Sequence, residues 1–209
     1  MKILIRFLLT LVSALYLAPA AFAEGDVEQG KTLFAICVAC HGANAEGNQT
    51  LNAPRNAGQD EWYVVRQLMN FKEGIRGADP KDIFGAQMRP MALVLADDEA
   101  VADVAAYIAT LSAPAPAKTV DGDVAVGKQL YAVCTACHGG SGEGNEALNA
   151  PRLSQQHDWY TVRQLQNYKA GIRGAHPKDI YGAQMRPMAA ILADDQAINA
   201  VAAYIATLE

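Results

Sequence analysis

Shifting the 209-residue sequence by 97 positions lays residues 26–111 onto 123–208 without a gap, and 58 of the 86 aligned positions are identical. Whatever one half folds into, the other half folds into as well. A period of that length is too long for a solenoid unit, so the pattern is a tandem domain duplication. The halves are joined by "SAPAPAKTVD", residues 112–121, whose Pro and Ala content predicts a semi-extended linker. The expected units are therefore 24–111 and 122–209. Each is small for a self-sufficient apolar core and needs further interior material.

The repeat includes "AICVACHG" at 35–42, which returns as "AVCTACHG" at 132–139. Cys37, Cys40 and His41, then Cys134, Cys137 and His138, account for all four cysteines and two of the four histidines. A disulfide within so tight a loop would stabilise little and give the adjacent histidine no role. Zinc held by four thiolates leaves both histidines unused as well. Two thiols that add across the vinyl groups of a heme, with the next residue's imidazole on the iron, use every residue of the motif. Two covalently bound heme c groups are expected, and each would add apolar interior to its unit.

The N-terminus reads as an export signal. Lys2 and Arg6 precede the apolar run "FLLTLVSALYL", and Ala21-Phe22-Ala23 supplies a small-x-small cleavage pattern, giving a signal peptide over residues 1–23. The run is shorter than a membrane span, so an uncleaved anchor is the weaker reading. A periplasmic mature protein follows as an expectation.

Helical periodicity runs through each unit. Asp26 is a candidate N-cap for a helix burying Gly30, Leu33 and Phe34. Residues 60–74 space Trp62, Val65, Leu68, Met69 and Phe71 at helical intervals towards Gly74. Residues 97–111 open on two aspartates, favourable at a helix N-terminus, and then repeat Val101, Val104, Ile108 and Leu111. No alternating stretch argues for a strand. The fold class is all-α.

A second axial ligand decides what such an iron can do. Between Glu24 and Leu111 the only histidine is His41, which excludes a bis-histidine iron within the first unit. His157 and His176 stand opposite Asp60 and Asp79 in the alignment and are expected at the surface. Met69 faces Gln166, so it fits a core role, whereas Met88/Met185 and Met91/Met188 occur in both units. The segment "GAQMRPM" lies far enough along the chain to reach the opposite heme face, and its Gly and Pro predict a non-helical loop. Met88 and Met185 are favoured as iron ligands because Met91 leads into the apolar run "MALVLA" and reads as packing.

A heme motif near the start of a helical unit, a distal methionine segment and a closing helix "VAAYIATL" resemble class I cytochrome c. Two such units behind a signal peptide resemble the diheme cytochrome c4 family. The resemblance implies two tandem cytochrome c domains, each wrapped around one heme, packed so that electrons pass between them. It implies that the Pro54 and Pro151 carbonyls accept from the proximal histidines. It also suggests that Arg55 and Arg152 pair with heme propionates. Gly30 and Phe34, with Gly127 and Tyr131, are expected where the first helix of each unit crosses the last, near Tyr107 and Tyr204.

The function expected is electron transfer between redox proteins of a periplasmic respiratory chain, a terminal oxidase among the acceptors. The alternative is the diheme subunit of a dehydrogenase complex such as a flavocytochrome. A diheme peroxidase needs an open iron, which two near-identical methionine segments disfavour; a ligand sensor needs one weak methionine. No paired carboxylates, nucleophile–base couple or phosphate loop asks for catalysis or a small-molecule substrate. Donor and acceptor proteins, membrane-bound ones included, are the expected partners. Removing Lys2 and Arg6 leaves 15 basic against 22 acidic residues, with no basic patch for nucleic acid. The charge is uneven: residues 24–111 carry a net −6 and residues 122–209 a net −1, which would orient an approaching partner.

Overall fold

The structure is a computed structural model that describes residues 25–209; the expected signal peptide, residues 1–23, lies outside the described residues. The first unit runs through α1 (Val27–Phe34), α2 (Val38–His41), α3 (Glu61–Lys72), α4 (Ile83–Leu93) and α5 (Asp98–Thr110). The second repeats the order as α6 (Val124–Tyr131), α7 (Thr135–His138), α8 (Asp158–Lys169), α9 (Ile180–Ala190) and α10 (Asp195–Ile205). A 3-10 turn spans Glu146–Leu148. Extended pairing among the described residues is limited to the isolated bridges Asn48–Ala53 and Asn145–Ala150.

The expected start signals are used. Asp26 caps α1 by accepting from the N–H groups of Glu28 and Gln29, and Asp97 caps α5 through Ala100. First and last helices cross where Gly30 meets α5. A Cβ on Gly30 would lie 1.9 Å from the Asp103 carbonyl oxygen, so only glycine permits this approach. Phe34 then packs on Tyr107 with ring centroids 5.5 Å apart, and Tyr131 repeats the contact with Tyr204 at 5.4 Å. Against this crossing, α3 supplies Val64, Val65, Leu68 and Phe71 to a buried cluster that also holds Val101, Val104 and Ile108. Met69 is partly buried against the same cluster, consistent with its core role.

The methionine segment departs from expectation. "GAQMRPM" is helical, inside α4 and α9, with Pro90 and Pro187 within the helices. Gly85 does not break α4. Its N–H donates to Oδ1 of the capping residue Asp82, and a Cβ there would lie 2.0 Å from Oδ2. Buried Asp82 also accepts from Gly77 N–H at 3.1 Å, joining the "GIRGA" turn to the helix start. Asp179, Gly174 and Gly182 repeat the arrangement.

The units meet through a pseudo-two-fold set of reciprocal contacts. Arg66 of the first bonds Asn149 of the second, while Arg163 of the second bonds Asn52 of the first. Arg66 also lies over Tyr181 at 4.2 Å, and Arg163 over Phe84 at 4.0 Å. Gln59 donates to the Arg152 carbonyl and Gln156 to that of Arg55. The linker, residues 112–121, forms no helix or strand and is pinned at both ends. Arg55 donates to the carbonyls of Ala113 and Pro114, and Asp158 accepts from the N–H groups of Thr119 and Val120.

Candidate heme sites

Each cysteine motif forms a tight turn. Cys37 N-caps α2, so Cys37, Cys40 and His41 stand at helical spacings of three and four and share one face. Gly42 ends the turn at φ +81°, where a Cβ would strike the Glu46 carboxylate, and Gly47 N–H then donates to the His41 carbonyl at 2.8 Å. Cys134, Cys137, His138, Gly139 and Gly144 reproduce the turn. All four cysteines are free, and among the described residues no three His, Cys, Asp or Glu side chains gather as a metal-holding cluster.

Both motif histidines are buried and oriented. His41 Nδ1–H donates to the Pro54 carbonyl at 2.8 Å, and His138 Nδ1–H to that of Pro151 at 2.8 Å. The bonds fix the tautomer and leave Nε2 as the free donor atom. Burial lowers the pKa of both imidazoles, against the opposing effect of the proline carbonyls, and favours the neutral form that can ligate iron. The Asn56 side-chain amide also approaches His41 Nδ1, at 3.1 Å, where the second unit has Leu153. Burial, aided by the neighbouring Cys40, pushes the Cys37 thiol up to about 11, and burial raises Cys134 likewise. These are thiols rather than thiolate nucleophiles.

The helical form of the methionine segment separates its two candidates. Gly85, Met88 and Ala92 form the inward stripe of α4 at spacings of three and four, and Leu95 continues it just past the helix end; Gly85, Ala92 and Leu95 are buried and Met88 packs on the core. Met91, three residues on, lies at the flank of that stripe and is 37% exposed. Met88 borders the same cavity as Cys37 and His41, and Met91 does not. In the second unit Met185 borders it with Cys134 and His138, although exposed Met188 reaches its edge too.

One cavity of about 250 Å³ serves both motifs, because the units face each other across it. Its lining is mainly apolar, yet four arginines that border it carry a buried guanidinium nitrogen with no protein partner: Nε of Arg76, Arg152 and Arg173, and Nη1 of Arg163. Orphaned buried donors call for an acceptor. An apolar macrocycle bearing carboxylates, with thiols, an oriented imidazole and a thioether around it, fits this donor set. Arg152 retains that capacity, but Arg55 has its guanidinium engaged by the Ala57, Ala113 and Pro114 carbonyls. Arg55 is therefore a linker clamp, and the propionate contact expected of it does not follow.

His157 is not a surface residue. It is half-buried between the units, stacked on Trp159 at 5.2 Å, with Nε2 donating to the Glu46 carbonyl of the first unit at 2.9 Å. His176 is exposed, as expected. The one signal for His157 was its mismatch with Asp60 in the duplication.

The cytochrome c family model matches twice, over residues 27–112 and 124–209. Cytochrome c4 of Azotobacter vinelandii is 34% identical over 212 residues, covering 96% of this chain and 97% of that protein. The chain belongs to the diheme cytochrome c4 family. The crystal structure of reduced recombinant cytochrome c4 from Pseudomonas stutzeri superposes with a TM-score of 0.70 at 31% identity, covering 88% of this chain and all of that one. A thiosulfate dehydrogenase electron acceptor of Stutzerimonas stutzeri is 34% identical, covering 82% of this chain and 78% of that protein. As a cytochrome c4 family member this chain consists of two tandem cytochrome c domains, carries two covalently bound heme c groups and transfers electrons between redox proteins. It is an electron-transfer protein rather than an enzyme. No described helix is long and apolar enough to cross a membrane.

Proposed function

We propose that residues 24–111 and 122–209 each form one electron-carrying domain, with His41 and Met88 as axial ligands of one iron and His138 and Met185 of the other. Cys37 and Cys40, and Cys134 and Cys137, carry the thioether attachments. The observation that supports this most strongly is the twofold recurrence of one geometry: a buried imidazole bonded to a proline carbonyl, with an inward-facing methionine on the same cavity. Held by an imidazole and a thioether, a heme iron would supply a one-electron couple with no vacant position for a substrate. The apolar walls exclude water, the proline carbonyls hold the imidazoles, and the free guanidinium nitrogens offset carboxylate charge in a low-dielectric interior.

The mature protein works in the periplasm after removal of residues 1–23 and exchanges electrons with donor and acceptor proteins, membrane-bound oxidases among the acceptors. The likeness to a thiosulfate dehydrogenase electron acceptor favours a second reading, in which the chain works as the partner of one dehydrogenase. Intact-mass measurement of the exported protein tests the attachment. The reading requires two heme additions, one lost on Cys37→Ala plus Cys40→Ala and the other on Cys134→Ala plus Cys137→Ala. Any other stoichiometry, or a mass that retains residues 1–23, contradicts it. Co-purification with a dehydrogenase in fixed ratio would select the second reading.

A further inference from the structure

The two units differ where each touches the support of the other's motif histidine. In the second unit, one peptide plane carries two hydrogen bonds in series. The Pro151 carbonyl accepts from His138 Nδ1–H at 2.8 Å, and the Arg152 N–H of the same peptide donates to Asp60 Oδ2 of the first unit at 3.1 Å. In the first unit the Pro54 carbonyl plays the same part towards His41. There, however, the place of Asp60 is taken by His157, which donates to the Glu46 carbonyl instead, and among the described residues nothing accepts from the Arg55 N–H. A carboxylate stands behind one proximal peptide and not behind the other.

Asp60 is partly buried and, among the described residues, has no cation within ion-pair distance. Arg152 turns its guanidinium towards Ser154 Oγ at 3.2 Å rather than towards Asp60. An anionic acceptor on a peptide N–H polarises that peptide and makes its carbonyl a stronger acceptor, as hydrogen bonds in series reinforce one another. A stronger bond at Nδ1 raises the basicity of the ligating imidazole. The negative charge itself also favours the more positive, oxidised iron. Both effects have the same sign.

We propose that Asp60 of the first unit is a positioning residue for the iron of the second: acting through the Pro151–Arg152 peptide on His138, it lowers the second unit's reduction potential. The inference rests on His138 being an axial ligand. It gives two near-identical domains a built-in difference, written into their interface by the exchange of Asp60 for His157.

The test uses the full-length holoprotein and voltammetry, with each wave assigned by the displacement that Met88→His or Met185→His imposes on it. Asp60→Asn keeps the shape and removes the charge. It should shift the second unit's couple about threefold towards the reduced form (~30 mV at 59 mV per tenfold) and leave the first in place. His157→Asp installs the missing carboxylate behind Arg55 and should move the first unit's couple towards the oxidised form by a similar factor. Glu61→Gln removes the neighbouring exposed carboxylate, which accepts from no peptide N–H among the described residues, and should move neither. Asp60→Asn moving neither wave or both alike, or Glu61→Gln matching it, overturns the proposal. Failure of the ligation itself would look different: the wild-type protein would lack two c-type waves.

Discussion

Replacing Asp158 should be far more costly than replacing its counterpart Glu61, although both are first-turn acids of equivalent helices. Asp158 is 2% exposed and accepts from four donors: Thr119 N–H (2.5 Å), Thr119 Oγ1 (2.7 Å), Val120 N–H (2.8 Å) and Trp159 N–H (2.7 Å). Glu61 is exposed and holds no linker. Charge-assisted bonds to a buried carboxylate are worth more than neutral ones, but water can reach Thr119 once the carboxylate is gone. The expected loss for Asp158→Ala is therefore about 2–4 kcal/mol. Glu61→Ala should stay within about 0.5 kcal/mol. Denaturant unfolding of the holoprotein measures both, and hydrogen exchange at Thr119 and Val120 reports the freed linker directly. The pH dependence has a definite sign. Burial alone would raise the Asp158 carboxyl, but the bonds from Val120, Thr119 and Trp159 outweigh it and hold it below the usual range. A depressed folded-state pKa contributes stability that is present above the unfolded value of about 3.9 and is lost as pH falls through the folded one. Asp158→Asn should remove that part of the acid sensitivity. Equal losses for Asp158→Ala and Glu61→Ala would refute the clamp.

Met88→Ala should open one iron to carbon monoxide, whereas Met91→Ala should leave the reduced spectrum unaltered, because Met91 is exposed and does not border the cavity. Gly30→Ala should destabilise the first unit by roughly 1–3 kcal/mol in thermal unfolding, since the helix crossing must open to admit the methyl group. Gly127→Ala should act alike on the second, its Cβ falling 2.0 Å from the Ala200 carbonyl.

Much of the architecture was legible because local signals and fold agree: Asp26 and Asp97 cap the helices they precede, and Gly30 lies at the crossing. The motif spacing located the cysteines and histidines, and the duplication narrowed the methionines to two pairs. The helical state of "GAQMRPM" was not legible. Gly85 and Pro90 read as breakers, yet Gly85 is required by the Asp82 cap and the remaining turns tolerate one proline. The helix also supplies what the loop reading lacked, a face that packs Met88 on the core and leaves Met91 exposed at its flank. Arg55 and His157 escaped prediction for a different reason. Their partners lie 59 and 111 residues away, and no periodicity within either unit reports a contact made to the linker or to the other unit. Only comparison of the halves marks the position, within the stretch 56–61 against 153–158 where Gln59 and Gln156 alone match.

The visible spectrum of the reduced holoprotein, recorded before and after carbon monoxide, tests the closed-site account most directly. Two irons held by His41 with Met88 and by His138 with Met185 predict a low-spin c-type spectrum that carbon monoxide leaves unchanged. A change affecting about half of the heme would mean that one methionine does not ligate, contradicting the claim that both sites are closed for electron transfer.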